Sequence, residues 1–369
     1  MTRIVATILT LALLGACGST GNDGENPLDP ETGEDAGPGT GGDGDPGTPI
    51  DSDRGLPPGT EAPTPDSSIV RYEPRGESGG GFAEAIAYDA ATDTFEVDNL
   101  AFDGDNVYRR GGRPGSQNAV GSLGPFAVYE SDVTSVDPVT GTVVDNLAYR
   151  AIYGVSTSGQ TEFAIVRSGD FVDYGFGGFV YQRNGVDAAG NATSLELPTA
   201  GDAVYAGDYA GVRIFDGVSG LEYLTGDASM RIDFKDFNDA QAGVSLTVAN
   251  RRLYDIDGTD ITDRYIAALQ EDNDGLVVPR DASGNAVMPQ VGSVVSPDVA
   301  DANGEIVQSV FTTLEFDDGT QATAAEGEYY AIMSGEDAGE IVGVLVMTGD
   351  DPRRDAAFQE TGGFIVYRQ

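Results

Sequence analysis

The sequence predicts an all-β protein: an antiparallel β domain, then a soluble eight-stranded antiparallel β-barrel, both behind a disordered tether. Three observations carry that reading. Polar and apolar residues alternate with period two over much of the chain beyond Ser68, the mark of half-buried antiparallel strands. Asp-Gly pairs at 103–104, 257–258, 274–275 and 318–319 punctuate the alternation, as hairpin turns do. Helical periodicity is confined to 261–270 and a turn near 336–340.

Residues 1–16 read as a signal peptide. Arg3 supplies a positive start, 4–14 a short apolar core, and Leu14, Gly15 and Ala16 lead into Cys17, the only cysteine. The apolar core is too short to cross a bilayer, which takes about 20 residues. Small residues at 15 and 16 let the backbone enter a peptidase cleft, and Cys17 offers the thiol that a diacylglycerol would modify. The pattern resembles the lipobox of bacterial lipoproteins. It implies cleavage after Ala16, a fatty-acylated (palmitate-type) Cys17 and, with Gly18 rather than Asp next, sorting to the outer membrane. Which face of that membrane the protein occupies stays open.

Residues 17–66 read as the tether. Beyond Cys17 the stretch has no aromatic residue and is rich in Gly, Pro, Asp, Glu, Thr and Ser, with Arg54 its single cation. Such a segment buries too little apolar area to offset its ordering entropy. A flexible chain of this length reaches roughly 40 Å, enough to lift a domain off a membrane.

Composition excludes much chemistry. There is no histidine and no tryptophan, so catalysis through Ser-His-Asp or Cys-His has no base and His/Cys zinc sites have no ligands. An enzyme would have to work with carboxylates alone, and no spacing nominates a pair. Acids outnumber bases 61 to 20, for a formal charge of −41. Such a surface repels phosphate backbones and anionic headgroups, which leaves nucleic acid out and the lipid as the membrane contact. The expectation is a non-catalytic, monomeric protein without cofactor.

From about 67 to 200 the strands are short, as at Phe95-Glu96-Val97 and Glu162–Arg167. Beyond 201 they lengthen. Asp227–Phe234 sets Ala228, Met230, Ile232 and Phe234 on one face, and Val244–Val248 repeats the pattern. An echo supports a division: Gly177-Gly178-Phe179-Val180-Tyr181 resembles Gly362-Gly363-Phe364-Ile365-Val366-Tyr367, as if one closing strand ended each unit. In 201–369 strands are expected at 203–215, 226–235, 243–255, 274–279, 290–297, 305–316, 327–333 with 340–347, and 361–368. Closure of eight strands removes exposed edges. Charges on the face opposite the apolar one, and an ending in Tyr367-Arg368-Gln369, favour a soluble barrel over a membrane-spanning one.

Gly207–Gly211, Thr225–Ala228 before Ile232-Asp233-Phe234, Gly327-Glu328-Tyr329-Tyr330 and Gly335–Gly343 follow one another in order. Together they resemble the β-barrel of transferrin-binding-protein-like surface lipoproteins, over about 203–369. Gly335-Glu336-Asp337 lacks the proline of that family's turn, and no second barrel follows. The resemblance implies that 67–200 is a handle-like β domain and that the chain binds a protein ligand. Two alternatives are a periplasm-facing structural envelope lipoprotein and a barrel that carries a small solute or haem. Bulky inward residues (Met230, Ile232, Phe234, Leu246, Val248) predict a filled barrel, against the carrier.

Two clusters are candidate sites. Arg109, Arg110 and Arg113 form the only basic cluster, placed in a loop after a strand at 105–108. They either dock a partner's carboxylates or pair with acids of the same molecule. Asp255, Asp257 and Asp260 are hard oxygen donors at short spacing, as calcium needs, without the EF-hand pattern. The other reading is a solvated turn.

Overall fold

Alternation sets which face of each strand is buried, and the first part of the chain uses it in short pieces. The computed structural model describes residues 55–76, 80–83, 86–113, 119–170, 173–235, 243–296 and 299–369. Its first eleven strands are β1 (Ile69–Tyr72), β2 (Ile86–Asp89), β3 (Thr94–Val97), β4 (Val107–Arg110), β5 (Ser122–Leu123), β6 (Phe126–Glu130), β7 (Thr134–Val136), β8 (Val143–Asp145), β9 (Arg150–Val155), β10 (Thr161–Arg167) and β11 (Gly177–Arg183). They run antiparallel in the order β1-β11-β10-β9-β6-β4-β3-β2, with β5 on β6 and β7–β8 a separate hairpin. The sheet curls. One face carries Phe126, Ile152, Phe163, Ile165 and Phe179; the concave face carries Phe95, Tyr129, Ala151, Ala164 and Val166.

The second part closes on itself. Its strands are β12 (Asp202–Phe215), β13 (Val218–Asp233), β14 (Val244–Tyr254), β15 (Val291–Gly292), β16 (Glu305–Glu315), β17 (Gln321–Ser334), β18 (Glu340–Asp350) and β19 (Ala357–Arg368), with β19 pairing back onto β12. All neighbours are antiparallel. The interior is packed: Met230, Ile232, Phe234, Leu246 and Val248 are buried in one cluster with Tyr205, Tyr209, Tyr329 and Phe364. Helix α1 (Thr262–Asp272) adds Tyr265, Ile266 and Leu269 to the same cluster, one face of a helix at i, i+1 and i+4. No helix among the described residues is long and apolar enough to cross a membrane.

The strand count agrees with expectation, but not each strand. Segment 274–279 is a loop touching the sheet by one bridge, Leu276 to Phe316; Pro279 at its end has no N–H for a ladder. The strand expected over 290–297 shrinks to Val291–Gly292, while 327–333 and 340–347 are separate strands, β17 and β18. Residues 55–66, counted with the tether by composition, are tied to the sheet and barrel: Pro57 and Thr60 carbonyls accept from Arg71, and Leu195 donates its N–H to Pro65.

The curled sheet sits on the outside of the barrel wall. Phe126, Phe163, Ile165 and Phe179 share a core with Val212 and Ile214 of β12, Val342 and Val344 of β18 and Ile365 of β19. Those barrel strands are buried on both faces, which explains the unbroken apolar run Ile341-Val342-Gly343-Val344-Leu345-Val346. Gly362 and Gly363 serve the two faces. A Cβ on Gly362 would overlap the Tyr209 hydroxyl inside the barrel, and one on Gly363 the Phe163 ring outside. Gly363→Leu is therefore expected to lift the sheet off β19 at a cost of about 1–3 kcal/mol. Faster protease cleavage in 185–200 would show it, and a cleavage rate equal to the parent's would refute it.

Candidate binding surfaces

The most heavily charged site lies inside the barrel. Period two along β12 points Tyr205, Tyr209 and Arg213 inward, and Glu360 of β19 faces them. The Glu360 carboxylate accepts from Tyr209 Oη at 2.7 Å and Arg213 Nη2 at 3.0 Å, and it pairs with Arg251. Arg251 also donates to the Pro289 carbonyl at 2.8 Å. Burial works to raise the Glu360 carboxyl, but Arg251 and Arg213 outweigh it and hold the group below its ordinary value. The Arg213 guanidinium lies 3.8 Å from the Phe358 ring centroid and 5.1 Å from that of Tyr265, so α1 covers the network. Next to it Arg353 pairs with Asp351 and Glu222. Sequence reasoning missed this cluster, although a charge at an inward register position was there to be read at Arg213. The pairs are closed on one another, and their chemistry is that of a core ion-pair network.

The arginine cluster lies partly on a strand, because β4 runs Val107–Arg110 rather than ending at 108. Arg109 pairs with Asp132 at 2.8 Å and Asp105 at 3.3 Å. Arg110 donates to the Gly121 carbonyl and lies 5.5 Å from the Tyr129 ring centroid. Arg113 pairs with Asp93, whose other oxygen accepts from Tyr129 Oη at 2.8 Å. The three guanidiniums are thus engaged by the same molecule, with Arg109 and Arg113 still about half exposed at 49% and 57%.

The acids near 255 are not brought together. Asp255 accepts the N–H groups of Asp257 and Thr259, shaping a turn. Asp260 accepts the Thr262 N–H at the start of α1 and pairs with Arg252 at 3.1 Å. Among the described residues no group of three or more acids, histidines or cysteines could hold a metal. Leu14, Gly15, Ala16 and Cys17 lie outside the described residues.

One surface stands out by apolar exposure. The β7–β8 hairpin projects from the β6–β9 connection, with Val136 opposite Val143 and Ser135 opposite Val144. Val139 in its turn is 90% exposed, and Val136 and Val143 are each 64% exposed. The β3–β4 loop lies beside it: the Phe102 carbonyl accepts from Leu147, and Phe102 itself is 68% exposed. A two-stranded ribbon is marginal by itself, so side chains anchor this one. Asn146 accepts from Ser135 at 3.0 Å and donates to the Asp132 carbonyl, while Asp137 accepts from Thr140 across the turn. Asp145 on β8 is exposed, while Asp105 and Asp132 nearby are paired with Arg109. Apolar side chains gathered at one tip are unlike the scattered exposure of an ordinary surface.

No protein-family model and no curated protein sequence matches the chain. Solved structures show a likeness. A double mutant of transferrin-binding protein B from Haemophilus parasuis matches at 10% identity and a TM-score of 0.35, over 78% of this chain and 42% of that one. A single mutant of the same protein gives 9% and 0.31, over 77% and 65%. A candidate outer membrane protein of Bacteroides fragilis gives 10% and 0.22, over 82% and 88%. The chain therefore spans less than half the length of the first of these structures.

Proposed function

We propose that this protein is a non-catalytic outer-membrane lipoprotein, anchored by acyl chains on Cys17, that captures a protein ligand at the tip of its curled sheet. The tether displays the β module, and the valine hairpin with Phe102 supplies the apolar contact. The observation that carries the reading is the hairpin itself, where Val136, Val139 and Val143 gather more than half exposed at one tip. The packed barrel acts as a scaffold, since a small-molecule carrier would keep roughly 300 Å³ or more open inside.

Two measurements test the reading together. Protease added to intact cells should release the β module, and Cys17→Ala should leave it soluble and without fatty-acid label. A module cut only after the outer membrane is opened would refute surface capture. A photoreactive group at position 139 should cross-link a surface-accessible protein, and the pair Val136→Lys and Val143→Asp, opposite charges across the ribbon, should abolish the adduct. These exposed substitutions should change stability by no more than about 0.5 kcal/mol, so an adduct that persists counts against the hairpin.

A further inference from the structure

The concave face of the curled sheet holds a cleft of about 80 Å³. Cross-strand register builds it: Tyr88 stands opposite Phe95, Tyr153 opposite Ala164, and Glu162 opposite Gln182. Curling carries the β2–β3 pair over the other two, so Tyr88 and Phe95 pack on Tyr153 and the three rings together form one wall of the cleft. Their ring centroids lie 5.1 and 5.7 Å from that of Tyr153. The Glu162 carboxylate sits at the edge of these rings. One of its oxygens accepts from Tyr153 Oη at 2.5 Å and the other from Gln182 Nε2 at 2.6 Å. Both donors are neutral, and no arginine or lysine pairs with Glu162 among the described residues. A half-buried negative charge therefore faces aromatic rings with its countercharge missing.

Aromatic faces carry negative potential and attract cations by about 0.5–2 kcal/mol, more when water is excluded. The same aromatic cluster already does so beside the cleft, where Arg110 lies over Tyr129, which stacks on Phe95. A bare metal ion fits the cleft badly, because calcium takes six to eight oxygens and one carboxylate lines it. The space corresponds to roughly half a dozen waters at 10–15 Å³ each, the scale of a head group rather than a whole metabolite. The field of a chain with formal charge −41 raises the local concentration of cations.

We propose that this cleft binds an organic ammonium group, with its carbons against Tyr88, Phe95 and Tyr153 and its charge opposite Glu162. The site is independent of the hairpin and of any protein captured there. The test is titration of the full chain with tetramethylammonium chloride, read by tyrosine ring resonances, against sodium chloride at equal ionic strength. Saturable shifts of Tyr88 and Tyr153 are expected. Glu162→Gln and Tyr88→Ala should each weaken binding about tenfold, or ~1.4 kcal/mol. Tyr88 lies on an edge strand and is 39% exposed, and Glu162→Gln, which keeps the shape of the side chain, separates loss of binding from any loss of packing. Choline and N-acetyl-lysine amide as further titrants separate a free quaternary ammonium from a lysine side chain on a protein. Shifts that do not saturate, or equal affinity in parent and both variants, would overturn the proposal.

Discussion

Glu360→Gln is expected to destabilise the barrel by about 3–5 kcal/mol, a fall of roughly 10 °C in Tm. The change removes one charge from a fully buried cluster and leaves Arg213 and Arg251 facing each other without it. What remains for them is weaker: Arg213 keeps Asp351 at 4.0 Å and Arg251 the Pro289 carbonyl, while Arg213 Nε and Nη1 and Arg251 Nε have no hydrogen-bond partner among the described residues. The amide keeps the shape of the carboxylate, so the loss reports charge rather than a cavity. The pH dependence follows from the lowered Glu360 value. A carboxyl whose folded value lies below its unfolded value stabilises the fold fully above the latter, here 4.5, and loses that contribution as pH falls through the former. The parent should therefore melt at lower temperature as pH drops below about 4.5, and the variant should lack that part of the slope. Thermal melts across this range decide it; a variant Tm within about 2 °C of the parent at neutral pH would refute the account.

Arg71→Met should be nearly as damaging, but at a different place. Arg71 on β1 makes a two-pronged pair with Glu305 on β16, at 2.6 and 2.7 Å, and the Glu305 side chain is fully buried. The substitution leaves that carboxylate without its cation, beside Asp301, whose own carboxyl burial already pushes up. A loss of about 3 kcal/mol is expected. It should fall on the attachment of sheet to barrel, because the pair joins the two. Accelerated hydrogen exchange in β1 and β11, with β12–β14 unchanged, is the signature; uniform acceleration would place the role of Arg71 elsewhere.

The barrel was legible where strands have one dry face and one wet one. Asp227–Phe234 and Val244–Val248 show the alternation in sequence and the matching inward packing in space. It was less legible where a strand is dry on both faces, because β18 lost its period two to the sheet packed outside it. The loop at 274–279 carries the apolar trio Leu276-Val277-Val278, which reads as a strand until the covering of α1 is known. The two echoing segments fall in β11, the last strand of the sheet in sequence, and in β19, the last of the barrel. Binding surfaces were harder to read. Arg109, Arg110 and Arg113 could be found by charge, but their acids come from positions 93, 105 and 132, which only folding assembles. The hairpin valines look like any alternating strand until no second layer is found to cover them.

The pairing of β19 with β12 also bears on how the molecule is made. In sequence these are the last and first of the barrel strands, yet they are neighbours, and the curled sheet rests largely on β18 and β19. Until β19 is synthesised, Phe163, Ile165 and Phe179 have only part of the barrel wall to lie on, and β12 offers an open edge to any passing strand. Contacts so distant along the chain form slowly, and open edges invite aggregation meanwhile. Every molecule must therefore pass through a vulnerable interval whose length is set by the time needed to make its final strand. Holding factors that shield apolar β surface would matter most in that interval, and a ribosome stalled before Ala357 should leave a product that clumps rather than one that merely lacks a strand.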